Sequence, residues 1–182
     1  MKRICVFCGS SLGNNQSFID CAKELGKRIA EEKLELIYGG AKIGLMGIIA
    51  NEVIKRKGKV IGVIPKFLSE KEIINKNVTK LYQVDSMHQR KKKMYDISDA
   101  FIALPGGIGT LEELSEILTW NQLSIKNTPI GILNINGYYD NLIKQFGVMG
   151  KNNFFDMNAL KTFIISTSPN DLIKACINQT ES

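Results

Sequence analysis

The chain has 182 residues, 44% of them apolar and 23% charged, which is enough for one domain (about 100–200 residues is usual) whose core needs no disulfide or structural metal. Lys and Arg number 24 against 18 Asp and Glu, a formal charge of +6; this modest excess suits an anionic ligand such as a phosphate ester and lacks the clustered stripes of a nucleic-acid surface. No run approaches the roughly 18 apolar residues of a membrane helix, residues 1–8 lack a signal peptide's apolar stretch, and no low-complexity tract appears, so a cytoplasmic protein is expected.

Short apolar runs alternate with helical patterns along residues 1–182, with no linker or internal repeat. Ile4-Cys5-Val6-Phe7 reads as a first strand, and Phe18, Ala22, Leu25 and Ile29 recur at helical spacing. Leu36-Ile37-Tyr38 is a second strand, followed by a helix marked by Met46, Ile49, Val53 and Ile54. Val60 to Ile64 is a third strand, Leu81 to Val84 a fourth, and Met87 to Ser98 a helix. Phe101-Ile102-Ala103-Leu104 is a fifth strand, followed by a glycine loop and a helix from about Thr110 to Gln122. Ile130 to Leu133 and Phe163 to Ile165 complete the series, each followed by a helix. Strands alternating with helices predict a single-domain, doubly wound, mostly parallel α/β sheet of Rossmann-like type. Continuous apolar strands predict helices on both of its faces. Ligands then belong beyond the carboxyl ends of the strands, in the loops after strands one, two, three and five.

The four cysteines are Cys5, Cys8, Cys21 and Cys176. Cys5 and Cys8 have half-site spacing for zinc, but no second pair exists and His88 is the only histidine, so two small residues ending a buried strand is the plainer reading. Such cysteine usage fits a reduced, cytosolic compartment.

The loop after strand one, Cys8-Gly9-Ser10-Ser11-Leu12-Gly13, fits either a phosphate or ribose wrap or a plain turn with a helix cap. It is not G-x-G-x-x-G. The loop after strand two, Gly39-Gly40-Ala41-Lys42-Ile43-Gly44, lets backbone amides approach an anion ahead of a helix, but lacks the G-K-[ST] ending of a triphosphate loop. A structural role fits it equally well. The loop after strand five, Pro105-Gly106-Gly107-Ile108-Gly109-Thr110, runs into a helix whose free amides and dipole favour a phosphate. Thr110-x-x-Glu113 has capping-box spacing, so Glu113 by itself reads first as a cap.

The basic run Arg90-Lys91-Lys92-Lys93 opens a helix in which Ser86 and Gln89 have capping-box spacing. Met87, Met94 and Ile97 share one face, flanked by Arg90 and Lys91, while Lys92 and Lys93 read as solvated. A guanidinium beside an apolar stripe usually holds a carboxylate or phosphate. His88 has no identifiable nucleophile partner, which argues against a catalytic triad.

Taken together, these segments resemble the Lonely Guy (LOG) family, whose members release cytokinin bases from their nucleotides and which is often mislabelled as lysine decarboxylase. Its P-G-G-x-G-T-x-x-E hallmark is matched from Pro105 to Glu113, and its S-D-M-H-x-R-K-type element by Asp85 to Lys91 with Asp and Ser exchanged. Tyr38-Gly39-Gly40, Gly44-Leu45-Met46-Gly47, Val63-Ile64-Pro65-Lys66, Thr119-Trp120 and Asn136-Gly137-Tyr138-Tyr139 extend the resemblance over nearly the whole chain. Ala41 replaces a usual third glycine, and Gln89 a common glutamate. The resemblance implies Arg90 and Glu113 as the catalytic pair, and nucleotide contacts at Glu72, Lys91, Gly107, Ile108, Gly109, Thr110 and Thr119. Ser10 and Gly40 join them as glycine-loop candidates. The implied reaction is hydrolysis of a nucleoside 5′-monophosphate to free base and ribose 5-phosphate. It needs no metal or organic cofactor, and a homodimer is expected. The alternative is a nucleotide-binding or carrier protein without turnover. A pyridoxal-phosphate lysine decarboxylase would need a Schiff-base lysine, and no lysine is singled out for that.

Overall fold

The computed structural model of the chain describes residues 1–69, 73–156 and 163–181. Among these residues seven strands form one sheet: β1 (Arg3–Phe7), β2 (Glu35–Tyr38), β3 (Val60–Pro65), β4 (Lys80–Val84), β5 (Ala100–Ala103), β6 (Ile130–Leu133) and β7 (Phe163–Ser166). Their order is β4-β3-β2-β1-β5-β6-β7, and every neighbouring pair is parallel. The helices between them are α1 (Gln16–Glu31), α2 (Gly44–Lys55), the single turn α3 (Lys66–Ser69), α4 (Met87–Asp96), α5 (Ile108–Gln122), α6 (Asp140–Lys151) and α7 (Pro169–Glu181). Among the described residues, no helix is long and apolar enough to cross a membrane.

The pleat divides each central strand between two cores. Ile4, Val6, Ile102 and Leu104 pack with α1, α2 and α7 on one face. Cys5, Phe7, Phe101 and Ala103 pack with α4, α5 and α6 on the other. Period-two alternation with apolar residues at both phases produces the unbroken apolar runs. The edges differ: β4 and β7 are only part-buried, because each lacks a neighbour on one side. Tyr82 of β4 is flanked there by Lys80 and by Lys93, each 4.5 Å from its ring centroid. Lys93 is therefore not a solvated cation as expected; it turns back onto the sheet edge. The α4 face carrying Met94 is likewise taken up by the chain's own core.

Strand order reverses between β1 and β5, where Phe7 pairs with Ala103. The loops after these two strands leave the sheet side by side, and the Gly9 amide donates to the Pro105 carbonyl at 3.1 Å. A crevice at such a reversal is the usual ligand position in an open parallel sheet. The β2–α2 loop closes onto it, with the Leu45 amide donating to the Gly9 carbonyl at 3.1 Å. Gly44 makes this approach at φ +57°, and a Cβ there would stand 2.5 Å from the Ser10 carbonyl oxygen. Only glycine fits that conformation in that space.

Candidate active site

A cavity of about 280 Å³ opens at the reversal point. Gly9 and Ser10 from the β1 loop, Met46 from α2, Met87 and Arg90 from α4, and the start of α5 surround it. The α5 contribution is Gly107, Ile108, Gly109, Thr110, Glu112 and Glu113. Helix α5 begins at Ile108, two residues earlier than its apolar pattern indicates, with Gly107 as N-cap and no side-chain cap. Among the described residues, no acceptor is paired with the amides of Gly107, Ile108, Gly109 and Thr110. Four free donors at the positive end of a 15-residue helix favour an anion.

This helix start also removes the capping role for Glu113. With Gly107 at the N-cap, the reciprocal capping position is Thr110, and Glu113 lies a turn further in. Its carboxylate instead faces Arg90, with Nη2 to Oε1 at 3.3 Å. Glu113 is only 7% exposed. Burial pushes its carboxyl above the usual range, while the Arg90 guanidinium pulls the other way. Arg90 is held in turn by its Nε, which donates to the Val63 carbonyl at 3.2 Å. The guanidinium comes up against Gly39 with its Nη2 end nearest, so that an added Cβ there would collide with it. The end of β3, the glycine after β2 and helix α5 thus fix one cation beside one buried carboxylate.

Ser86 caps α4 as its spacing predicts: its Oγ accepts from the Gln89 amide at 3.2 Å, and Gln89 Oε1 accepts from the Asp85 amide at 2.9 Å. Lys91 lies just outside the cavity lining and pairs with Glu112 and with Glu116, the latter at 3.3 Å. Thr119 is exposed, and its hydroxyl donates to the Ser115 carbonyl at 2.8 Å, away from the cavity. Gly40 is buried at φ +80° and gives its carbonyl to the Asn75 amide at 3.0 Å, so it supports the β2 loop without lining the cavity. Glu72 lies outside the described residues. Cys8, Met46 and Met87 line the cavity without having been singled out as ligand contacts. Burial, with the Glu113 charge, pushes the Cys8 thiol far up, which makes it a neutral wall and not a thiolate nucleophile. All four cysteines are free, and among the described residues no group of three or more His, Cys, Asp or Glu side chains is placed to hold a metal.

Sheet, crevice and amide cradle are those of a Rossmann-like α/β protein. Among solved structures, the molybdenum cofactor binding protein from Rippkaea orientalis superposes with a TM-score of 0.74 over 100% of this chain and 99% of that one, at 23% identity. The Moco carrier protein from Chlamydomonas reinhardtii gives 0.74 at 19% identity, over 99% and 97%. At those identities the likeness is one of fold. Sequence relatives are nearer. Cytokinin riboside 5′-monophosphate phosphoribohydrolase LOG1 of Arabidopsis thaliana is 47% identical over 173 residues, 95% of this chain and 81% of that protein. The probable enzyme of the same name, LOGL6 of Oryza sativa subsp. japonica, is 44% identical over 95% and 69%. A family model described as possible lysine decarboxylase matches residues 46–176. The chain belongs to the LOG family of cytokinin riboside 5′-monophosphate phosphoribohydrolases.

The decarboxylase description implies pyridoxal phosphate, and the site does not fit it. A Schiff base needs a lysine in the cavity. Among the described residues none lines it, and neighbouring Lys91 is held between two glutamates.

Proposed function

We propose that the protein hydrolyses the N-glycosidic bond of nucleoside 5′-monophosphates, cytokinin-type or adenine, to free base and ribose 5-phosphate. The observation that carries this reading is the pair of part-buried Arg90 and buried Glu113, 3.3 Å apart, beside an unpaired amide cradle. The names of the relatives, at 43–47% identity over most of the chain, support it further.

The free amides of Gly107 to Thr110 hold the 5′-phosphate and so fix the ribose in the cavity. Cleavage breaks the bond from C1′ to the base nitrogen, and its electron pair leaves with the base. Positive charge develops on the ribose as the bond lengthens. The Glu113 carboxylate stabilises that charge and takes a proton from the attacking water, whose oxygen bonds C1′. A carboxyl raised by burial is a better base near neutrality than an ordinary one. Arg90 keeps Glu113 ionised and oriented. The base takes up a proton as it departs.

Phosphate is required on this account, since the cradle has nothing to grip on an uncharged ribose. Adenosine and its 5′-monophosphate are compared at equal concentration, and the monophosphate is expected to react at least ~100-fold faster, a fraction of what anchoring can supply. Equal rates would remove the cradle from the mechanism. Nucleotide bound without any base release would make the protein a carrier.

A homodimer is part of the same reading. Its support lies in the family relationship and in the exposed apolar side chains Leu123 and Ile125 after α5, with Ile108 82% exposed at its start. Light scattering at micromolar concentration should give twice the 20.3 kDa chain mass. A single chain mass would count against it. Residence in the cytoplasm is supported by four buried cysteines without a disulfide.

A further inference from the structure

Asn136-Gly137-Tyr138-Tyr139 has no role in the reaction above, although it stands beside the cradle. The segment follows β6 as a single 3₁₀ turn, with Asn136 at φ +52° and Gly137 at φ +70°. Asn134 braces it: its Nδ2 donates to Asp140 at 2.7 Å, and its Oδ1 accepts from the Tyr139 amide at 2.8 Å. Asn136 Nδ2 ties the turn to Ser17 Oγ on α1 at 2.7 Å. Two phenols are thereby delivered to the β5 loop. The Tyr139 hydroxyl, buried, donates to the Leu104 carbonyl at 2.6 Å. The Tyr138 hydroxyl donates to the Gly106 carbonyl at 2.5 Å.

The two bonds differ in what they control. A trans peptide holds its C=O and the next residue's N–H on opposite sides, and among the described residues no peptide is cis. Fixing the Gly106 carbonyl therefore fixes the direction of the Gly107 N–H. Tyr138 lies on one side of this peptide, in a hollow with Gly9, Gly13 and Phe18. Gly107 lines both that hollow and the Arg90–Glu113 cavity, so its peptide stands between the two. The Gly9 amide does the same one peptide earlier by holding the Pro105 carbonyl. The peptide that Tyr139 holds leads into Pro105, which has no N–H to aim. Without a lock, a Gly-Gly peptide turns over readily, because glycine populates both signs of φ.

We propose that Tyr138 is a positioning residue for anion binding: its hydroxyl locks the Gly106–Gly107 peptide so that the Gly107 N–H meets an oxyanion of the substrate phosphate, whereas Tyr139 only anchors the loop. This rests on the phosphate-cradle reading, and its test can fail separately from that of hydrolysis. Tyr138 is 46% exposed and its ring packs edge-on against Phe18 and Tyr139, contacts that phenylalanine keeps.

The experiment titrates inorganic phosphate into the parent, Tyr138→Phe and Tyr139→Phe by calorimetry, with thermal melts and adenosine monophosphate kinetics alongside. Tyr138→Phe should bind phosphate about tenfold more weakly, the scale of one aligned hydrogen bond, while its melting point stays near the parent's. Its KM for the nucleotide should rise more than its kcat falls. Tyr139→Phe should show the reverse: a lower melting point, because a buried carbonyl is orphaned, and parental phosphate affinity. Equal phosphate affinity in Tyr138→Phe and the parent overturns the proposal. So does an equal loss of affinity in both variants, or a parent that binds no phosphate. A parent that binds phosphate, loses it in Tyr138→Phe and releases no base overturns hydrolysis and leaves the lock standing.

Discussion

Glu113→Gln is expected to leave a folded protein that still binds nucleoside 5′-monophosphate and releases base at least ~100-fold more slowly, the usual scale for losing acid–base help. Glutamine keeps the size of the side chain and an acceptor toward Arg90. It carries no negative charge for an oxocarbenium-like centre and takes no proton from water. The melting behaviour follows from burial. The Glu113 carboxyl sits above its ordinary value in the folded chain, so the native state binds its proton more readily than the unfolded state does. Ionised Glu113 therefore costs stability, which falls as pH rises from the unfolded pKa through the folded one. Removing the charge should leave Glu113→Gln melting at or above the parent at neutral pH, with the difference closing below the unfolded pKa. Glu112→Gln is the control and should be milder, since Glu112 is exposed and pairs with Lys91. Turnover at the parent rate in Glu113→Gln would take the carboxylate out of the mechanism.

Arg90→Gln should lower kcat/KM by about 100-fold as well, and it should also change the pH profile. Glutamine can still donate toward the Val63 carbonyl, but it removes the cation paired with Glu113. Burial then acts on the carboxyl against only the weaker pull of Lys91, so its pKa rises further. The acid limb of kcat/KM should move to higher pH in Arg90→Gln than in the parent, and Arg90→Lys should return part of the way. An acid limb at the same pH in all three proteins would show that Arg90 does not set the ionisation of Glu113.

The central fold was readable because β1, β2, β3, β5 and β6 are apolar at both phases of the pleat, as strands buried on two faces must be. β4 and β7 carry the same signal more weakly and turn out to be part-buried edges, since local pattern does not tell which strand lies last. The start of α5 was misplaced for a physical reason. Gly107-Ile108-Gly109 has low helix propensity and no capping side chain, so no local signal marks the helix start there. That shift turned Glu113 from a candidate cap into a buried partner of Arg90. Arg90 and Glu113 were found through motif resemblance. Their holders were not, because the Val63 carbonyl is 27 residues from Arg90 and no local pattern points to it. Tyr138 and Tyr139 were visible as a motif, but their acceptors are backbone atoms more than 30 residues away.

The most direct measurement is a product balance. Adenosine monophosphate and its prenylated analogue are incubated with the purified chain, and free base and ribose 5-phosphate are quantified by chromatography. The two products should appear in equal amounts from at least one nucleotide, without added metal or cofactor. Nucleotide recovered intact would contradict the account, as would base released together with any sugar product other than ribose 5-phosphate.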